Sequence, residues 1–383
     1  MTTDTSAYVH FPWCLKKCPY CDFATRKIDR PDVPHAAYAD AVIRELDARR
    51  PALAGRRLAS VFFGGGTPSL WHAAEIGRVL AAIRGAFDGE AESLEVTVEC
   101  NPSSLDRGGA AALREVGVNR LSVGVQSLSE EKLRFLGRFH DAAGGLRALE
   151  HALAEMGRVS IDLMFGLPGQ RWEDLRTEVG RLLDLGVRHL SAYALTIEPG
   201  TQFGELHRKG RLTVAPEGNY TEMFLGLESL LGEAGLAHYE VSNYATPGER
   251  SIHNLHYWRG RPYLGLGAAA VGCFEGVSGR GRRYRNQPEG MAYLEATDGA
   301  REVFEESLEP EDLVREALML GLRTDEGMDV EETRTRVGID PLAGCAAALE
   351  RRLVAGDLEL DDRFLRVPRD RWLRLDGIVA DLF

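Results

Sequence analysis

Cys14, Cys18 and Cys21 form the run Cys-x3-Cys-x2-Cys, with no fourth cysteine nearby. Thiolates at this spacing are metal ligands, and two chemistries suit them. An iron–sulfur cubane could place one thiolate on each of three irons and leave the fourth iron open for a small chelating ligand. A structural zinc ion could instead take the three thiolates, with His10 or Asp22 completing the set. Further along comes Gly64-Gly65-Gly66-Thr67-Pro68-Ser69. Glycines permit a close backbone approach where side chains would clash. No Lys-Ser or Lys-Thr follows them, so this is not a phosphate-binding P-loop.

Residues of this kind need a frame, and the chain supplies one. Short apolar runs at Ala7–Phe11, Leu58–Phe63, Leu94–Glu99, Arg120–Val125, Val159–Met164 and His189–Leu195 read as strands. Amphipathic stretches between them, among them Ala36–Arg49, Trp71–Phe87 and Asp141–Met156, read as helices. Strand–helix alternation predicts βαβ units on a parallel sheet, and six units fall short of the eight that close a barrel. In such sheets the site forms at the C-terminal ends of the strands. The cysteines follow the first strand and the glycines the second, while Glu99 ends the third, Gln126 ends the fourth and Asp162 lies in the fifth. A lone acid at a strand end can simply cap a turn; a succession of such residues around one rim points to a site.

Composition limits the remaining choices. With 383 residues, 44% hydrophobic and 27% charged, the chain reads as an ordinary globular protein with room for a large domain and a smaller one. No apolar run is long enough to span a bilayer, and Met1 to Tyr8 lacks the features of a signal peptide. The six cysteines do not make a disulfide framework, and Cys100, Cys273 and Cys345 read as free thiols, so a reducing cytoplasm is expected. The net charge of −12 argues against nucleic acid as a partner. Charge is uneven: residues 301–383 hold 12 basic against 21 acidic residues, a net of −9, whereas residues 250–285 hold seven Arg against Glu275 alone. The basic stretch suggests either a local anionic partner or a solvated loop.

The cysteine run together with the glycine run resembles the radical S-adenosylmethionine (SAM) superfamily. That resemblance implies an open (β/α)6 partial TIM barrel, a [4Fe-4S] cluster on Cys14, Cys18 and Cys21, and SAM chelating the open iron. One electron passed into the sulfonium would then break a carbon–sulfur bond and release a 5′-deoxyadenosyl radical. Tyr8-Val9-His10-Phe11-Pro12-Trp13-Cys14, Cys18-Pro19-Tyr20-Cys21-Asp22-Phe23, Glu99-Cys100-Asn101-Pro102, Gly124-Val125-Gln126-Ser127, Leu136-Gly137-Arg138-Phe139-His140 and Asp162-Leu163-Met164-Phe165-Gly166-Leu167-Pro168 are similar to the oxygen-independent coproporphyrinogen III oxidase group. By that similarity Tyr8, Tyr20, Gly65, Gly66, Thr67, Glu99, Gln126, Arg138 and Asp162 surround SAM. Arg138 offers a planar fork for the methionyl carboxylate, and Gln126 and Asp162 can accept from ribose hydroxyls.

Two departures separate the chain from the decarboxylases of that group. Phe23 stands where they carry a further cysteine, and only seven residues precede Tyr8. Both features resemble the group's haem-chaperone branch, as does His253-Asn254-Leu255-His256-Tyr257-Trp258, an HNxxYW motif associated there with haem. The resemblance implies a chaperone holding haem as cargo through His253, Asn254, Tyr257 and Trp258 and delivering it to respiratory acceptor proteins. An electron donor and membrane-associated acceptor complexes are further partners that the resemblance implies. A radical decarboxylase making protoporphyrinogen IX, and a zinc-stabilised scaffold, are the other readings. Imidazole is a common haem ligand, and the nearby arginines could meet propionates; a packed loop with Trp258 in the core is the plain alternative. The expected layout is a core barrel over 1–240, a mixed segment over 241–305, and a small winged-helix-like α+β domain over 306–383, read from helices at Pro310–Leu322, Val330–Val337 and Pro341–Ala355 and a hairpin at Leu358–Val367.

Overall fold

The computed structural model describes residues 3–275, 279–297 and 301–383. The parts of the 1–240 and 241–305 segments at residues 1–2, 276–278 and 298–300 lie outside the described residues. The six expected strands are present as β1 (Thr3–Phe11), β2 (Arg56–Gly65), β3 (Glu90–Cys100), β4 (Arg120–Gln126), β5 (Arg158–Phe165) and β6 (His189–Ala194). They run parallel in that order, each paired with the next. The crossovers carry α1 (His35–Arg49), α2 (Ala73–Arg84), α3 (Arg107–Glu115), α4 (Ala142–Glu155) and α5 (Trp172–Asp184). Val42, Leu46, Ile76, Leu80, Leu149 and Val179 on these helices pack into one core with Val9, Val61, Val98, Leu121 and Ile161 of the sheet. The opposite face, following the period of two along each strand, is polar. Glu95, Thr97 and Glu99 share that face of β3, and Arg120 and Ser122 share it on β4. An open α/β barrel with a polar lumen results.

After β6 come α6 (Glu217–Glu233), β7 (Ala237–Glu240) and β8 (Asn243–Ala245), then α7 (Ile252–Trp258). They are followed by β9 (Tyr263–Leu266), β10 (Val271–Glu275), β11 (Gly281–Asn286) and β12 (Glu302–Leu308). The segment 241–305 does not stand apart. β9 pairs parallel to β1, β10 to β12 continue antiparallel beyond it, and β8 and β7 extend the far edge from β6. The parallel block therefore has seven strands within a sheet of twelve. β9 is short and Gly-bearing, which hides it from an alternation test.

Helix α7, which carries HNxxYW, closes the floor of the lumen. The carboxylate of Glu95 accepts from the His253 backbone N–H at 2.9 Å and from Arg158 at 3.0 Å. Arg120, buried beside it, donates to Ser160 Oγ at 2.7 Å and to the Glu249 carbonyl at 3.0 Å. A buried ion pair costs desolvation that only such a filled set of partners offsets. At the C-terminus, α8 (Pro310–Gly321) leads to a three-stranded sheet of Met328–Asp329, Phe364–Arg366 and Glu359–Leu360, with helices Val330–Val337 and Ala346–Val354 around it.

The basic stretch is neither a free anion site nor a solvated loop. Arg250 pairs with Asp325 at 2.6 Å, Arg259 with Glu326 at 2.7 Å, Arg261 with Glu332 at 2.8 Å and Arg280 with Glu309 at 3.0 Å. Arg282 meets Glu305 at 2.7 Å and also Glu302, and Arg283 meets Glu306 and Glu316. Six of the seven arginines thus face carboxylates of the acidic tail.

Candidate cluster and cofactor site

At the C-terminal ends of β1 to β6 lies a cavity of about 380 Å³, within the roughly 300–1,000 Å³ typical of ligand sites. Cys14, Cys18, Cys21, Tyr20, Gly65, Gly66, Thr67, Glu99, Gln126, Arg138 and Asp162 all line it. Tyr8 lies just below, its ring stacked on Phe62. The structure thus gathers the expected cluster and SAM residues around one hollow.

Each wall has a local cause. The cysteine loop is tied to β1 through a relay: the Tyr8 hydroxyl donates to His10 Nδ1 at 3.0 Å, and His10 Nε2 donates to the Ala24 carbonyl at 3.1 Å. Burial lowers the His10 pKa to about 4, so the ring is neutral, as this relay requires. Both its nitrogens are engaged, which removes His10 as a fourth zinc ligand. The glycines are needed by the protein itself. A Cβ on Gly65, at φ 104°, would fall 2.4 Å from the His10 ring, and one on Gly66 would fall 2.5 Å from the Trp13 carbonyl oxygen. Gln126 takes φ 68° where the β4–β5 register shifts. That conformation costs about 1–3 kcal/mol outside glycine and is kept where a side chain must be aimed.

Electrostatics follow from burial beside charge. Burial, reinforced by nearby Asp162, pushes the Glu99 carboxyl up to about 7, although it accepts from the Gly65 N–H at 3.0 Å. Asp162 is also raised by burial, against the hydroxyls of Ser191 and Ser122. Arg138 donates to the Gly124 carbonyl at 2.7 Å and reaches Cys18 Sγ at 3.7 Å and the Tyr20 hydroxyl at 3.5 Å, while its buried Nε has no partner. Burial raises the Cys14 thiol to about 11, opposed by the Thr67 hydroxyl, so only a bound metal would hold it as thiolate at neutral pH.

The donor set suits a cluster. Among the described residues no three His, Cys, Asp or Glu side chains already converge as a metal-ligating group. Cys14, Cys18 and Cys21 line the same cavity and among the described residues no histidine lines it with them, and thiolates are the ligands an iron–sulfur cluster takes. Two acceptors and an under-used guanidinium around the same hollow suit a zwitterionic amino-acid moiety. The sequence reading missed Tyr193 and Ala194 at the end of β6 and Thr196 and Glu198 just after it, which line the cavity. Their signal was position alone, the end of the sixth strand.

The HNxxYW residues lie elsewhere. His253, 2% exposed, bonds Ser60 Oγ through Nδ1 at 2.9 Å, stacks on Phe62 and leaves Nε2 buried without a partner. His256 commits Nε2 to the Pro262 carbonyl at 2.9 Å, and the Trp258 side chain bonds the buried Glu240 carboxylate. The Asn254 backbone N–H is capped by Ser251.

A cysteine-rich rim on an open, partly parallel barrel defines a class, and similarity to known proteins agrees. Residues 8–181 match the Radical SAM superfamily, and residues 308–373 match the HemN C-terminal domain. The chain is 36% identical to mouse mitochondrial radical S-adenosyl methionine domain-containing protein 1, over 100% of this chain and 88% of that protein. It is 39% identical to the heme chaperone HemW of Escherichia coli over 72% of this chain and 71% of that one, and 34% identical to HemW of Lactococcus lactis over 88% and 87%. The solved coproporphyrinogen III oxidase HemN of E. coli superposes with a TM-score of 0.80 at 22% identity, covering 100% of this chain and 90% of that one, which shows the shared fold. The chain belongs to the radical SAM family, in the oxygen-independent coproporphyrinogen oxidase-like group close to HemW.

Proposed function

We propose that this chain is a haem chaperone that holds a [4Fe-4S] cluster and SAM and passes haem to respiratory acceptor proteins. The observation that carries the proposal is its likeness to heme chaperones of several bacteria along most of their length, joined to a rim whose cysteine loop has Phe23 in place of a further thiol. When bound, the cluster supplies a low-potential electron within reach of a sulfonium. The chain's own groups do the rest. Cys14, Cys18 and Cys21 hold the metal, and Arg138 turns its free Nε to the methionyl carboxylate. Glu99 faces the cationic end of the ligand, and Gln126 and Asp162 take the ribose hydroxyls.

Each histidine of the motif has one ring nitrogen bonded, His253 Nδ1 to Ser60 and His256 Nε2 to the Pro262 carbonyl, and His253 in addition keeps a buried Nε2 without a partner. We assign haem ligation to His253. Its burial means that α7 must lift from the floor of the barrel to admit the iron.

Anaerobic incubation with reductant, SAM and coproporphyrinogen III separates the chaperone from the decarboxylase reading. The expected result is no vinyl product, together with transfer of bound haem to an apo-acceptor. Vinyl product above the enzyme-free background overturns the proposal.

A further inference from the structure

We infer that Arg336, in the C-terminal domain, is a positioning residue for the cargo motif: it holds the end of α7 and so governs the access of haem to His253. The inference rests on the cargo reading above. α7 stops at Trp258, and the last carbonyls of a helix have no donor within it. Arg336 is the donor that the carbonyls just behind α7 receive. Its guanidinium donates to the Gly260 carbonyl at 2.5 Å and to the Arg259 carbonyl at 3.1 Å, where a cation also suits the helix dipole. The guanidinium is fixed from both sides. The Glu275 carboxylate of β10 faces it at 3.0 Å. Gly260 takes φ 62°, and a Cβ there would fall 3.2 Å from Arg336, so glycine supplies both the left-handed turn and the room for the guanidinium.

The same domain grips the helix at its other end. Glu326 meets Arg259 at 2.7 Å just after α7 and Arg250 at 3.5 Å just before it, and Asp325 meets Arg250 at 2.6 Å. The segment carrying these carboxylates is itself bonded to the sheet. The Val241 N–H donates to the Arg323 carbonyl and the Asp325 N–H to the Tyr239 carbonyl, each at 3.0 Å. Both ends of α7 are thus tied to the C-terminal domain, while His253 ties its body to Ser60 of the barrel. A cavity of about 250 Å³ lies beside the tie, lined by Trp258, Arg259, Glu326, Arg336 and Phe364 among others. It gives the end of the helix space to move into once Arg336 lets go. His253 cannot meet an iron while α7 is seated, because its unpartnered Nε2 is buried. Release of Arg336 therefore precedes haem entry.

The test compares the full-length, cluster-loaded protein with Arg336→Ala, Arg336→Lys and Glu326→Gln. Iron content and SAM affinity are measured first and should match wild type, since neither residue lines the rim cavity. Amide exchange is then followed across residues 252–260 without haem, and the uptake of ferric haem is timed by its Soret band. Arg336→Ala should exchange faster in that window and take up haem at least about threefold faster, because a helix held closed less often presents a larger competent fraction. Arg336→Lys, able to serve one carbonyl, should fall between. A merely structural role would not sort haem uptake in this order while iron and SAM stay level. Glu326→Gln loosens the same helix through a separate contact and should move both readouts the same way; it decides the question if Arg336→Ala does not fold. Unchanged exchange in both Arg336→Ala and Glu326→Gln overturns the inference. So does faster exchange with unchanged haem uptake, which would show that α7 does not limit entry. No haem uptake by any of the proteins refutes the cargo reading and with it the role in access, while the exchange data still report whether Arg336 holds the helix.

Discussion

Under the proposed function each thiol of the rim takes its own iron, which makes the cysteines the sharpest test at the residue scale. Cys14→Ala, Cys18→Ala and Cys21→Ala should each abolish the brown chromophore of anaerobically purified protein. Cys100→Ala should not, because that thiol is buried and points back to the Val98 carbonyl. Full iron content in Cys18→Ala refutes the assignment. Arg138→Ala should weaken SAM without loss of iron; a lost charge-assisted bond of about 1.5–3 kcal/mol corresponds to roughly 10- to 150-fold in affinity. Equilibrium dialysis of both proteins decides it. Glu99 gives a pH signature. With its pKa at about 7 it is largely protonated below neutrality, and a cationic ligand prefers the carboxylate. SAM affinity should therefore rise from pH 6 to 7.5 and then level, and Glu99→Gln should flatten the profile. For the ligand-free fold the sign is opposite: a carboxyl raised from 4.5 to about 7 removes stability as pH climbs through that window. These side chains were legible in the sequence because their motifs are contiguous. The reason for the glycines was not, since Gly65 and Gly66 make room for His10 and the Trp13 carbonyl, contacts made only once β1 and β2 pair.

Among the elements, α7 matters most, and its place in the fold was the least legible. Apolar runs separated by amphipathic helices disclosed six parallel units, since each such unit is local in sequence. Nothing in seven residues of helix says that they plug a lumen, because Glu95 and Ser60, which anchor them, lie far upstream. Glu95→Ala would leave Arg120 and Arg158 short of their carboxylate and free the start of α7. Breaking such a buried pair costs about 3–5 kcal/mol, to be read as a lower denaturant midpoint; an unchanged midpoint would show that α7 is held by packing alone. If haem reaches His253, amide exchange across residues 252–258 should speed up on haem addition, whereas steady protection would place the haem elsewhere.

For the whole molecule, the uneven charge of the sequence resolves into attraction between its own parts. Arg283 of β11 and Glu316 of α8 bind the sheet extension to the C-terminal domain. No reading of composition could assign those partners, because each residue had several candidate counter-charges. Arg283→Glu should loosen the tail, visible as faster limited proteolysis beyond residue 308, without selectively weakening haem at low salt. A salt-dependent loss of haem with an intact tail would return that arginine to the cargo. The central claim is that this chain binds haem as cargo while its rim carries cluster and SAM, and a stoichiometric haem titration of the cluster-loaded protein tests it most directly. The account predicts a saturable Soret shift near one haem per chain in wild type, an altered band in His253→Ala with iron and SAM binding intact, and no change in His256→Ala. A Soret band that stays at the position of free haem throughout the titration would contradict it.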